Sequence, residues 1–170
     1  MYIKAAVLFL AASALALPTV QDGNHKRAAV LTKQSYADFQ VSDGVAGNAL
    51  AEVQAKFPID ENDLANVDPA DAAIIKAARV TAEDAEVNTG GFNDAIAAAS
   101  GDAADALQVG KIKNKVLKLK LEVLDLGISQ AQGGSDNTAK IAAEQKKLDT
   151  NIATDKKSAG QTSQSVNFQG

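Results

Sequence analysis

The sequence contains neither cysteine nor tryptophan, and its 170 residues include one histidine, one methionine and three prolines. The absence of cysteine excludes a disulfide framework and thiol chemistry. Aromatic residues make up only 4%, whereas alanine is abundant. This composition favours helices packed closely through small side chains. We therefore predict an all-α fold that is stabilised by packing alone.

The N-terminal residues have the features of an export signal. Lys4 precedes a small and apolar run, Ala5–Leu15, and Ala16 completes an A-x-A cleavage motif. This run is too short to remain as a membrane span. We predict that residues 1–16 are a signal peptide cleaved after Ala16.

A second processing site is predicted at a dibasic pair. Residues 17–27 are polar and end in Lys26-Arg27, which is typical of a kexin-type cleavage site, so they are predicted to be a propeptide. The mature chain would then start at Ala28 and be secreted. The only histidine, His25, would be removed with the propeptide.

The remaining charge and hydropathy limit the classes of partner. Removal of Lys4, Lys26, Arg27 and Asp22 leaves 14 basic and 20 acidic side chains, a net charge of −6. This charge argues against nucleic-acid binding. No mature segment reaches the roughly 18 apolar residues of a membrane span, so none is expected after processing.

The apolar spacing predicts an antiparallel bundle of four main helices. Asp68 and Pro69 are typical of a helix start, and the glycines after Asn88 of a helix end. The longest helix carries two apolar stripes, which indicates a central position. The predicted helices cover residues 45–57, 69–87, 102–132 and 136–155, with a short helix at 93–99; the bundle domain spans 28–160, and 161–170 form a flexible tail.

Most catalytic devices are absent from the mature chain. Without cysteine or histidine it has no thiol nucleophile, Ser-His triad or imidazole zinc ligand. We expect no catalytic residues, cofactor or metal, although a carboxylate-based hydrolase stays open. The acidic loop Asp60–Asp63 offers oxygen ligands for calcium but lacks the spacing of an EF-hand, so a solvated loop is favoured.

Three residues are candidate ligand or partner contacts. Lys113 and Lys120 fall between the two apolar stripes of the long helix, where they would hold an acidic head group at the mouth of a groove. The structural alternative places each at a corner between helices with a carboxylate partner. Phe92 either contacts a partner or holds its glycine-rich turn to the core.

Three segments carry a family resemblance: FQVSDGVAGNAL (39–50), TGGFN (89–93) and LQVGKIKNK (107–115). Together with the export signal, they resemble the cysteine-free small secreted proteins of filamentous ascomycete fungi, over most of residues 36–168. The resemblance implies an extracellular fungal protein of the candidate-effector, virulence-associated type. A looser likeness is to hydrophobic-surface-binding and cell-wall galactomannoprotein-type proteins, whose Ser/Thr-rich tail this chain lacks.

These observations predict a secreted, non-catalytic interaction protein at the fungal surface or host interface. Its partner would be a protein or a component of the cell wall or host surface. The alternative is an extracellular module that binds a lipid or a hydrophobic surface in grooves beside the long helix. The carboxylate-based hydrolase is the third hypothesis.

Overall fold

The computed structural model describes residues 26–169. The predicted signal peptide and most of the predicted propeptide, with His25, lie outside the described residues. The elements are α1 (Tyr36–Phe39), β1 (Gly44–Val45), α2 (Ala49–Lys56), a 3-10 helix (Glu61–Asn66), α3 (Pro69–Val87), α4 (Phe92–Ala98), α5 (Asp102–Ala131), α6 (Thr138–Lys157) and β2 (Thr162–Ser163). The all-α prediction and the long central helix are confirmed.

Helix α5 is the centre of the bundle. Both of its predicted stripes contribute buried side chains, among them Val116 and Leu119 on one and Leu121 and Leu124 on the other. Such burial on two sides requires partners on both, and α3 and α6 supply them. No helix in residues 26–169 combines the length and apolarity needed to cross a membrane.

Helices α3 and α5 run antiparallel. The side chain of Gln132, just after α5, donates to the Val67 carbonyl just before α3, at 2.9 Å. At the opposite end, Lys111 donates to Asn93 at 2.6 Å. The contact face of α3 is mostly alanine, which lets the helices approach closely; its buried residues include Ile75, Ala78, Ala82 and Ala85.

The start of α2 differs from the prediction. The sequence predicted a helix from Val45, but Gly44–Val45 pairs with Thr162–Ser163 as a two-stranded antiparallel ribbon. The carboxylate of Asp155 then accepts the N–H groups of Gly47 and Ala49, each at 3.0 Å, which fixes the start of α2. A cap supplied by the last turn of α6 cannot be predicted from local spacing.

The prediction of a flexible tail at 161–170 is wrong for the described residues. Besides the ribbon, Gln164 N–H donates to the Ala106 carbonyl at 3.0 Å, and Ser165 N–H donates to Asp43 at 2.8 Å. The Phe168 ring lies edge-on to Tyr36 with centroids 6.0 Å apart. We call residues 161–169 the C-terminal segment. Its polar composition suggested mobility, whereas its backbone hydrogen bonds hold it against α5.

Candidate ligand groove

Lys113 is an interior lysine. Its side chain is fully buried, its ammonium donates to the carbonyls of Asp43 at 2.9 Å and Val45 at 3.0 Å, and it pairs with Glu52 at 2.9 Å. An ammonium has three protons to donate, and these three acceptors match them. Lys113 therefore joins α5 to β1 and α2, and it has no free donor for an acidic head group.

Lys120 and Phe92 also contact the protein itself. Lys120 is 7% exposed and pairs with Glu61 at 2.6 Å. The side chain of Phe92 is completely buried, so it holds its turn to the core and cannot contact a partner in this conformation. The structure thus corrects the proposed ligand pair Lys113 and Lys120 in favour of the structural alternative, corners with carboxylate partners.

An apolar recess lies instead beside α3, next to the face that contacts α5. Residues 28–35, which we call the strap, have no regular secondary structure and contact the first turn of this helix. The buried carboxylate of Asp71 accepts the N–H of Leu31 at 2.8 Å and that of Val30 at 3.0 and 3.1 Å. Asp71 is in the first turn of α3, where a negative charge also interacts favourably with the helix dipole.

The strap, α1, the end of α2 and the outer face of α3 enclose a groove of about 640 Å³. This volume is within the usual range of sites for small molecules. Most of its wall is aliphatic or aromatic. The lining residues are Val30, Leu31, Thr32, Lys33, Gln34, Ser35, Tyr36, Phe39, Ala55, Lys56, Phe57, Pro58, Ala73, Ile74, Ala77, Ala78 and Thr81.

The base of the groove is rigid because its aromatic residues pack on one another. Phe39 meets Tyr36 and Phe57 edge-to-face, with centroids 5.6 and 6.0 Å apart. The Tyr36 hydroxyl donates to the Asn114 side chain at 2.9 Å, and Asn114 donates in turn to the Ala82 carbonyl at 2.7 Å. Burial raises the pKa of Tyr36 to about 12. Tyr36 is therefore a neutral structural phenol at physiological pH.

The charge of the lining is unlike that of the whole chain, whose formal net charge is −4. Lys33 and Lys56 are the charged residues that line the groove, and no carboxylate lines it. Lys56 donates to the Asp38 carbonyl at 2.6 Å. Within residues 26–169, neither lysine forms an ion pair with a carboxylate. The groove is therefore apolar with a cationic rim.

The carboxylates of the acidic loop bind a side chain of the protein. Arg27 donates to Asp63 at 2.6 Å and to Asp60 at 2.9 Å. The hydrogen bond from Arg27 lowers the pKa of Asp60. In the part of the chain that the structure describes, no group of three or more acidic or histidine side chains is arranged to hold a metal ion.

A family model described as a domain of unknown function, DUF8454, matches residues 31–167. The chain belongs to the DUF8454 family. The matched region of this DUF8454 protein includes every lining residue of the groove except Val30, and it includes most of the C-terminal segment. No curated protein and no solved structure matches the chain. The family description specifies no activity, so the likeness to secreted fungal proteins stays a prediction.

Sequence reasoning missed the groove of this DUF8454 domain because its walls come from separate segments. The strap has no apolar periodicity and resembles a linker. On α3, however, Ile74, Ala77 and Thr81 follow helical spacing beside the buried residues Ile75, Ala78 and Ala82. Helix α3 is therefore apolar over a wider arc than one partner helix covers. This second apolar line on α3 was the sequence signal that could have indicated the groove.

Proposed function

We propose that this protein is a non-catalytic binding module for a small amphiphile with an anionic head group, such as a long-chain carboxylate. The observation that carries the proposal is the 640 Å³ apolar groove whose charged lining residues are both lysines. The proposal keeps the ligand class of the lipid-binding hypothesis but moves the site from the long helix to α3.

The shape and chemistry of the wall support an apolar tail. Phe39, Phe57 and Ile74 contribute apolar atoms to the wall. Burial of apolar area is worth roughly 25 cal/mol per Å². An alkyl chain that fills such a groove removes its own surface and that of the wall from water. The polar lining residues other than the lysines are Thr32, Gln34, Ser35 and Thr81, and the apolar lining residues outnumber them.

The rim supports an anionic head group. Lys33 is exposed, and the Lys56 ammonium donates to a backbone carbonyl rather than pairing with a carboxylate. A partly exposed lysine near an anion contributes up to about 1 kcal/mol, or about fivefold in affinity. The lining contains no carboxylate that would repel an anion or attract a cation. The two lysines therefore make the groove discriminate against cationic amphiphiles.

The test is a fluorescence titration with a labelled long-chain carboxylate, in competition with an unlabelled carboxylate, alcohol and alkylammonium of the same chain length. We expect the carboxylate to compete best and the ammonium worst, with at least about a tenfold difference between them. Equal competition by all three, or no saturable binding of the carboxylate, would contradict the proposal.

Two variants locate the binding in the groove. Ala77→Trp places an indole in the groove and should abolish binding, whereas Lys33→Glu should weaken carboxylate binding about tenfold or more. The matched controls on the exposed face of α6, Ala143→Trp and Lys140→Glu, should bind as the wild type does. Normal binding by both groove variants would place the ligand elsewhere.

The broader hypothesis of a secreted interaction protein at a fungal or host surface is compatible with this activity, because an exported carrier can deliver or sequester an amphiphile there. No described residue favours a particular protein partner. Binding in the groove is therefore the function that the geometry supports best.

A further inference from the structure

The strap is fixed to the body of the protein at two points. At the first, Arg27 pairs with Asp60 and Asp63, and its backbone N–H donates to the Asn66 carbonyl at 2.8 Å. At the second, Asp71 accepts the N–H groups of Val30 and Leu31. We call these contacts the Arg27 anchor and the Asp71 anchor.

The bond between Arg27 and Ala28 lies between the two anchors, and it is the bond that follows the dibasic pair. We propose that the strap is a latch on the groove, opened by endoproteolytic cleavage after Arg27. In this step water hydrolyses the peptide bond: the bond between the Arg27 carbonyl carbon and the Ala28 nitrogen breaks, the hydroxyl joins the carbon, and the proton goes to the nitrogen. The regulatory role rests on the binding function proposed above.

Cleavage and anchoring compete for the same side chain. A protease specific for dibasic sites must take the Arg27 guanidinium into its own acidic pocket, but in the fold two carboxylates hold that group at 2.6 and 2.9 Å. The protease therefore acts on molecules in which the Arg27 anchor has opened. Asp60 and Asp63 accordingly set the rate at which the latch is cut.

Cutting alters the groove because the strap is one of its walls. Residues 30–35 all line the groove, and cleavage removes one of their two anchors while the Asp71 anchor, the packing of Leu31 on the core and the continuation into α1 are kept. Segments with fewer anchors open more often by local unfolding. The cut protein should therefore exchange its ligand faster than the uncut chain does, even though every lining residue is still present.

The first experiment measures cleavage of the uncut chain by a dibasic-specific endoprotease, with N-terminal sequencing of the product. We expect Asp60→Asn/Asp63→Asn to be cut about fivefold faster than the wild type. The control Asp136→Asn/Asp149→Asn, at exposed sites elsewhere, should be cut at the wild-type rate. Equal rates for all three proteins, or a product that does not begin at Ala28, would overturn the proposal.

The second experiment separates anchoring from cleavage with variants that the protease cannot cut. Arg27→Gln loses the two ion pairs of the Arg27 anchor, whereas Lys26→Gln loses the dibasic motif and keeps those ion pairs. We expect dissociation of the fluorescent carboxylate to be about fivefold faster from Arg27→Gln and from the cut wild type than from Lys26→Gln. Identical rates for these three proteins would contradict the latch.

Hydrogen exchange at the Val30 and Leu31 amides gives a readout that needs no ligand. Their exchange should be about fivefold faster in the cut protein and in Arg27→Gln than in Lys26→Gln. Faster exchange without any carboxylate binding would refute the proposed function and leave the latch intact. Unchanged exchange would refute the latch, whatever the groove binds.

Discussion

Gly110, in the first half of α5, is the position where the structure reverses the prediction from local sequence. A glycine inside a helix costs about 1 kcal/mol relative to alanine, so helix propensity alone predicts that Gly110→Ala stabilises the protein. In the structure, a Cβ at this position would clash with the carbonyl oxygen of Gln164 and lie 3.1 Å from that of Ser42. Carbon and carbonyl oxygen normally meet at roughly 3.3 Å or more.

The magnitude follows from what must move. Both obstructing atoms belong to the backbone, so Gly110→Ala displaces the C-terminal segment and breaks the hydrogen bond from Gln164 to Ala106. Overpacking costs about 1–3 kcal/mol and the lost hydrogen bond about 1 kcal/mol, against the gain of about 1 kcal/mol in propensity. We expect the free energy of unfolding to fall by about 1–3 kcal/mol.

Urea denaturation followed by far-UV circular dichroism measures this change, and the same helix supplies the control. A Cβ at Gly127 would meet only the terminal methyl of Leu64, at 2.9 Å, and a flexible side chain can turn away. Gly127→Ala should therefore be neutral or up to about 1 kcal/mol more stable. If Gly110→Ala were as stable as the wild type, the C-terminal segment would not lie against α5.

Two further predictions concern buried polar groups. Burial raises the Tyr36 pKa to about 12, so the stabilising contribution of the neutral phenol is complete below pH 10 and is lost as the pH rises to about 12. Urea titrations across that range should show that the free energy of unfolding falls by up to about 2 kcal/mol more in the wild type than in Tyr36→Phe. An equal fall in both proteins would contradict the buried phenol. Asp155→Ala leaves the N–H groups of Gly47 and Ala49 without their acceptor and should lower the free energy of unfolding by about 2–4 kcal/mol. The control Asp149→Ala, at an exposed site on the same helix, should change that free energy by less than about 0.5 kcal/mol. Similar values for both variants would show that no cap exists.

Periodicity and local capping were sufficient to predict the main helices. Asp68 accepts the Ala70 N–H at 2.8 Å and Pro69 begins α3, as the sequence indicated. The end of α3 was marked by its glycines, and the two stripes of α5 predicted its central position. These features depend on residues within a few positions of one another, so sequence spacing reveals them.

The parts that sequence reasoning missed depend on contacts between distant residues. Asp155 caps a helix more than 100 positions away, and Gly110 is required by a segment that follows α6. The groove arises because Asp71 holds the strap against α3. The basic residues of α5 suggested a ligand site, but Lys113 is an internal cross-link. A polar or charged residue does not reveal from sequence alone whether its partner is a ligand or the chain itself.

The central claim is that the groove between the strap and α3 holds an anionic amphiphile. The most direct measurement is amide chemical-shift mapping by NMR during titration with a long-chain carboxylate. The largest changes should fall in residues 30–39, 55–58 and 73–81, and the amides around Lys113 and Lys120 should change little. Saturable binding with its largest changes elsewhere, or no change at all, would contradict the account.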